Sequence, residues 1–261
     1  MRLELPVIAC RFFTIAGHPH TWEAPCPASN FAVAPHDVHA YRRKGATAMT
    51  RRALLTYAFD AYCGWCYGFG PALHTFAIAN ADRIELRVRS GGLFTGPRAL
   101  PIAAYTHIPD ANASITRLTG VTFGDAYNHL VDEGHTVMDS TDAAVGLVAL
   151  RRQDPARTLH AAEAMQRAWY LDGRSLSDAR VYRDLAGDLG YDPDAVTAAL
   201  AEPGTLTEAR ADFQQVRRLG VPEYPTLLLH TSNGSHRLGG PLSTADTLTR
   251  ALDEHFAAVD A

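Results

Sequence analysis

The chain has 261 residues, of which 47% are apolar and 20% charged, and its net charge at neutral pH is −4. These values fit a globular protein with one sizeable core, and they exclude the broad basic field that nucleic acid or an anionic membrane surface would need. No run reaches the roughly 18 apolar residues of a transmembrane helix, so none is predicted.

Residues 1–48 are rich in histidine, proline and alanine and show no helical or strand period. Such a segment reads as an N-terminal extension, either disordered or produced by a start-site error, because Met49 stands just ahead of the first strong strand signal. The apolar stretch Leu5–Cys10 follows Glu4 and is cut by Arg11, which makes a poor secretory signal core. A signal built on Thr50-Arg51-Arg52 would run straight into the cysteine motif described below. A cytoplasmic location is therefore expected.

Leu54–Phe59 is a short apolar run closed by Asp60, the pattern of a buried strand. A helix is predicted from the run Cys63-Gly64-Trp65-Cys66 to about Ala81. Ile84, Leu86 and Val88 then alternate with Glu85, Arg87 and Arg89, which marks a half-exposed strand. Strand, helix and strand in this order form a βαβ unit.

From Pro97 to Leu219 the pattern is helical. Asp154-Pro155 supplies a cap and a first-turn proline for one helix, which Gly173 closes. Ser177 caps the next, which stops near Gly190, and Asp192-Pro193 starts another. The last runs from about Thr207 to Leu219 and ends at Gly220. Thr226–His230 is again extended and apolar, Asn233-Gly234 is a tight-turn signal, and His236–Leu238 returns as the partner strand. Ser243 with Asp246 forms an acidic capping box for a closing helix to about Ala258. The chain thus reads as an α/β protein, βαβ then ββα, interrupted by a helical block.

The four cysteines are Cys10, Cys26, Cys63 and Cys66, too few for a disulfide scaffold in a chain of this size. Only the last two form a close pair, and they stand at a helix start. Free N–H groups and the helix dipole favour an anion at Cys63, and thiolate is the reactive form of cysteine. Cys66 lies one turn later on the same side, placed to attack a mixed disulfide on Cys63 and release the product. Pro71 follows within the helix and should kink it. Tyr224-Pro225-Thr226 precedes the late strand, where a cis proline would set an extended edge beside Cys63 for a substrate peptide. Trp65 between the cysteines is expected to be partly exposed, as an apolar rim for substrate.

These residues resemble the DsbA-like branch of the thioredoxin superfamily, and more narrowly the bacterial proteins described as predicted protein disulfide isomerases or FrnE-like. The matching segments are the strand ending at Asp60, Cys63–Pro71, Gly91-Gly92-Leu93, Ala168–Asp178 in the helical block, and Gly220-Val221 with Tyr224-Pro225-Thr226. The resemblance covers about residues 53 to 258. It implies a thioredoxin-like domain over 53–96 and 220–258 with a helical insertion over 97–219. It implies thiol–disulfide exchange through Cys63 as nucleophile and Cys66 as resolving thiol. Substrate would be contacted by Trp65, Tyr224, Pro225 and Thr226. Substrates would be protein or small-molecule disulfides and dithiols, with glutathione a further candidate, and no cofactor, nucleic acid or membrane is expected.

Three departures from the family stand out. Tyr224 replaces the small or aliphatic residue common before the proline, and its ring is expected to narrow the groove. Gly64-Trp65 lacks the histidine found in strongly oxidising relatives, which argues against a potent oxidase. No close acidic residue stands out as a proton acceptor for Cys66; Asp60 is the nearest candidate, although a strand-ending residue would look the same.

Other readings of the pair are zinc binding and inert pairing. A structural zinc site needs about four ligands, and Cys10 and Cys26, sixteen residues apart, do not supply a second close pair. The scattered histidines, such as His107, His129 and His135, show no metal-binding spacing, so no metal is expected. At the level of function, the alternatives are a glutathione-dependent isomerase or transferase of the same fold, and a non-enzymatic peptide-binding module. The first usually carries serine where Cys63 stands.

Overall fold

The computed structural model describes residues 52–260. The N-terminal extension expected over 1–48 lies outside the described residues.

Four strands form one sheet: β1 (Ala53–Phe59), β2 (Ile84–Ser90), β3 (Thr226–Thr231) and β4 (Gly234–Gly239), in the order β2-β1-β3-β4. β1 runs parallel to β2, with Leu55 opposite Leu86, and antiparallel to β3, with Leu55 opposite Leu229. As an inner strand, β1 is buried along almost its whole length, which is why it reads as continuous apolar sequence. Edge strand β2 keeps the predicted alternation, with Ile84 and Val88 buried and Glu85 and Arg87 exposed.

The β1–β2 crossover is α1 (Gly64–Ala79), which carries Pro71 in its interior. Seven helices follow before β3: α2 (Ile108–Thr119), α3 (Asp125–Glu133), α4 (Ser140–Gln153), α5 (Thr158–Tyr170), α6 (Ala179–Leu189), α7 (Pro193–Ala201) and α8 (Pro203–Arg218). The chain closes with α9 (Ala245–Asp260), whose Leu248 and Leu252 are buried. The sheet and the helical block share one apolar core that runs from Leu55 and Phe76 to Met165 and Trp169. The block is therefore packed into the same body as the sheet.

Several helix starts differ from the sequence reading. Asp154 accepts from the Ala156 N–H, but the turn it caps is a short 3-10 segment, Pro155–Arg157, and α5 begins only at Thr158. Asp178 caps α6 instead of Ser177, because its carboxylate takes the Arg180 N–H. α8 starts at Pro203, ahead of the expected Thr207, since a proline costs nothing in a first turn. At α9 the capping pair is Thr244 with Thr247, which bond reciprocally. Ser243 turns its hydroxyl to the Gly240 N–H.

Candidate active site

The turn between β1 and α1 is held from below by Asp60. One carboxylate oxygen accepts the Tyr62 N–H at 3.0 Å, and the other accepts the Leu93 N–H at 2.8 Å. The Asp60 carbonyl accepts the Cys63 N–H at 3.1 Å. Asp60 is buried, and burial raises its carboxyl above the ordinary range against the pull of these hydrogen bonds. The residue does end the strand, and it also ties the cysteine turn to the loop after β2.

Cys63 is the N-cap of α1, with extended backbone and no side-chain cap bond. Its carbonyl takes the Cys66 N–H at 2.9 Å, so the two cysteines are one turn apart on the same side of the helix start. Both cysteines are free thiols. Cys63 is 7% exposed and Cys66 0%, so the first can be reached from the surface and the second cannot. Burial pushes the Cys66 thiol well up, and the hydrogen bond and charge of Cys63 push it the same way.

The Tyr224–Pro225 peptide bond is cis. The Cys63 sulfur lies 3.6 Å from the Tyr224 carbonyl oxygen, so the thiol and the segment before β3 adjoin. Thr226 is buried, and its hydroxyl donates to the Glu223 carbonyl at 2.9 Å, bracing the turn that carries Pro225. Half-buried Trp65 lines an open cleft of about 840 Å³ with Glu223, Tyr224, Leu238 and Leu242. Leu242 is 60% exposed there, which gives the cleft an apolar wall. The Tyr224 ring does border this cleft, but it is tucked onto Gly91, whose carbonyl accepts the Tyr224 hydroxyl at 2.8 Å.

The helical block reaches the cysteines through α2. A Cβ on Gly64 would stand 2.8 Å from Ile115 Cδ1, and one on Gly68 2.9 Å from Ile115 Cγ2. Ile115 is 1% exposed and has little room to give. Glycine between the cysteines is therefore what lets α2 close over the first turn of α1. Gly64→Val is expected to cost about 1–3 kcal/mol through overpacking, read as a lowered urea midpoint at unchanged m-value.

The structure thus brings Cys63, Cys66, Trp65, Tyr224, Pro225 and Thr226 into one neighbourhood. Two contributors were not legible in the sequence as site residues: Tyr57, whose hydroxyl meets Cys66, and Ile115. Tyr57 carried a faint signal as the one polar-tipped aromatic in the strand. No group of three or more potential metal ligands occurs among the described residues.

A βαβ and a ββα unit around one sheet, a helical block between them, and a cysteine pair at a helix start beside a cis proline define a thioredoxin fold of the inserted type. The family model of the DSBA-like thioredoxin domain matches residues 55–252, and the chain belongs to that family. Among similar solved structures is the cytosolic disulfide reductase DsbM from Pseudomonas aeruginosa, 25% identical, with a TM-score of 0.67 over 78% of this chain and 99% of that one. The same protein with glutathione aligns at a TM-score of 0.65. A candidate protein disulfide isomerase from Nitrosomonas europaea is 21% identical, with a TM-score of 0.69 over 80% of this chain and 99% of that one. A search of the curated proteins gives no match.

Proposed function

We propose that this chain is a thiol–disulfide oxidoreductase in which Cys63 attacks a substrate disulfide and Cys66 resolves the mixed disulfide. The observation that carries this reading is the asymmetry of the pair. Cys63 caps α1 and adjoins the Tyr224 carbonyl, whereas Cys66 lies one turn deeper, fully buried and raised. A raised, inaccessible thiol does not compete for substrate, and it becomes the nearest nucleophile once Cys63 is bonded.

The chemistry proceeds in two exchanges. The Cys63 thiolate attacks one substrate sulfur, the substrate disulfide breaks, and the displaced thiolate takes up a proton. Cys66 then loses its proton and attacks the Cys63 sulfur. The second substrate thiol leaves, and Cys63 and Cys66 remain as a disulfide. The substrate is reduced by two electrons and the protein oxidised by two. An external dithiol or glutathione reverses the change in the protein.

Reduction is the direction this reading favours, in the cytoplasm. DsbM at 25% identity is a cytosolic disulfide reductase, and Gly64-Trp65 places no histidine between the sulfurs. No helix among the described residues is long and apolar enough to cross a membrane. Substrates are protein or small-molecule disulfides, with Trp65, Tyr224, Pro225 and Thr226 forming the docking edge. Glutathione is included on the support of the DsbM structure that holds it.

The test is trapping. Wild type should reduce insulin under dithiol cycling, and Cys66→Ser should accumulate a mixed disulfide on Cys63 visible by mass spectrometry. Neither reduction by wild type nor an adduct on the variant would overturn the assignment.

A further inference from the structure

Strand β2 is paired on one side only. The Ala53 N–H donates to the Arg83 carbonyl and the Gly91 N–H to the Phe59 carbonyl, so Glu85, Arg87 and Arg89 turn their main-chain groups toward β1. Ile84, Leu86 and Val88 turn theirs outward. Among the described residues no strand pairs with that outer side.

The ends of the outer side are occupied. The Asn80 carbonyl accepts the Ile84 N–H at 3.1 Å, and the Arg52 guanidinium donates to the Ile84 carbonyl. Arg151 donates to the Val88 carbonyl at 3.5 Å. Between these ends, the N–H and carbonyl of Leu86 and the N–H of Val88 meet no partner among the described residues. Unpaired main-chain groups in such a row are a template for a further strand.

This edge forms the floor of a cleft of about 730 Å³, with α1 on one side and the α4–α5 corner on the other. The two faces of β2 give the cleft two characters, because side chains alternate along a strand. Leu86 lies on the face of α1 and α5, beside half-buried Leu159, and Ile78 on the same wall is 61% exposed. Arg87 and Arg89 point to the opposite face.

Five arginines and two glutamates line the cleft, in a chain whose net charge is −4. Arg87 is matched by Glu85, Arg152 by Glu202 and Glu208, and Glu163 is held by His74 at the rim. Arg89 and Arg151 share one carboxylate, that of Asp212, at 3.4 and 2.7 Å. Arg52 bonds only the carbonyls of Ala81 and Ile84. The unmatched positive charge therefore sits at the two ends of the open edge. A second copy of the chain could not use this edge, since its own β2 is equally recessed. A single extended segment can reach the floor.

We propose that the outer edge of β2 is a docking site for an extended acidic segment of a partner protein, added to the sheet as a fifth strand. In that segment apolar residues alternate with carboxylates. The apolar side chains meet Leu86, Leu159 and Ile78, and the carboxylates meet Arg52 and the Arg89–Arg151 couple. The main chain bonds the Leu86 N–H and carbonyl and the Val88 N–H. This is an interaction surface apart from the cysteine pair, and it does not depend on the exchange reading.

The experiment measures fluorescence anisotropy of a fluorescein-labelled, amide-capped peptide, Val-Glu-Val-Glu-Val-Glu, with the full-length protein. Two further peptides are N-methylated at alternate residues, one in each phase. Only the phase whose N–H groups point at β2 should lose affinity, by about tenfold or more. Arg52→Glu and Ile78→Asp should each weaken binding about five- to tenfold, with thermal unfolding as the check that both fold. The N-methyl arms need only the wild type. No binding of the acidic peptide, equal binding of Val-Lys-Val-Lys-Val-Lys, or equal binding of both N-methylated peptides would overturn the proposal. So would a wild-type dimer, seen by sedimentation, that Ile78→Asp disperses, because it would put a second copy on the edge.

Discussion

Gly91→Ala is expected to slow insulin reduction by about ten- to a hundredfold, the scale of a displaced reacting edge. A Cβ at Gly91 would lie 2.1 Å from Tyr224 Cζ and 2.5 Å from its hydroxyl oxygen, inside any tolerable contact. The ring cannot slide aside cheaply, because its hydroxyl donates to the Gly91 carbonyl. Gly91 cannot retreat either, since its N–H donates to the Phe59 carbonyl at 2.7 Å. Tyr224 must therefore move, and its carbonyl, which adjoins the Cys63 sulfur, moves with it. The accompanying loss of stability should be about 1–3 kcal/mol. Tyr224→Ala in the Gly91→Ala background frees the space, so the two changes should combine to a smaller loss than their sum. Insulin reduction and thermal unfolding of the four proteins of this cycle check the result. A fully active Gly91→Ala would show that the Tyr224 position does not matter to turnover.

Trp169→Ala should be the most destabilising single change to the core, at about 3–5 kcal/mol. Trp169 is 0% exposed, and its ring meets Tyr62 edge-on with centroids 4.8 Å apart and Tyr127 at 5.6 Å. Tyr62 immediately precedes Cys63, so the cavity would open directly beneath the cysteine turn. For a folded unit of this size the melting temperature should fall on the order of 10 °C. The control is Trp169→Phe. The indole N–H has no acceptor among the described residues, so a phenyl ring removes an unpaired donor along with some area. It should cost well under half as much as alanine. Equal losses in the two variants would show that ring packing is not what Trp169 supplies.

The parts of the site that could be read from the sequence are those with a local signature. A cysteine pair two residues apart at a helix start announces itself, and so does a proline ahead of an apolar strand. The helix starts were less secure because competing side chains stood next to one another. Ser177 and Asp178 are both capping residues, and so are Ser243 and Thr244. Which of each pair takes the free N–H depends on how the preceding chain arrives, a property of tertiary packing. Tyr57 was hidden for another reason. An inner strand buried on both faces loses its alternation, so no period in Leu54–Phe59 tells which side chain points to the cysteines.

The sequence by itself determined the close cysteine pair, the βαβ and ββα halves and the helical block between them. Period, spacing and turn chemistry act over a few residues and survive in any context that folds. The tertiary structure decided what surrounds that pair. The Tyr224–Gly91 contact spans 133 residues of chain, the Cys63–Tyr224 contact spans 161, and Ile115 arrives over Gly64 from a different helix. Such contacts depend on where packed elements come to rest, and no local pattern records it. The tyrosine expected to narrow the groove borders the cleft and is pinned to Gly91. The aspartate that closes β1 proves to be the brace under the cysteine turn.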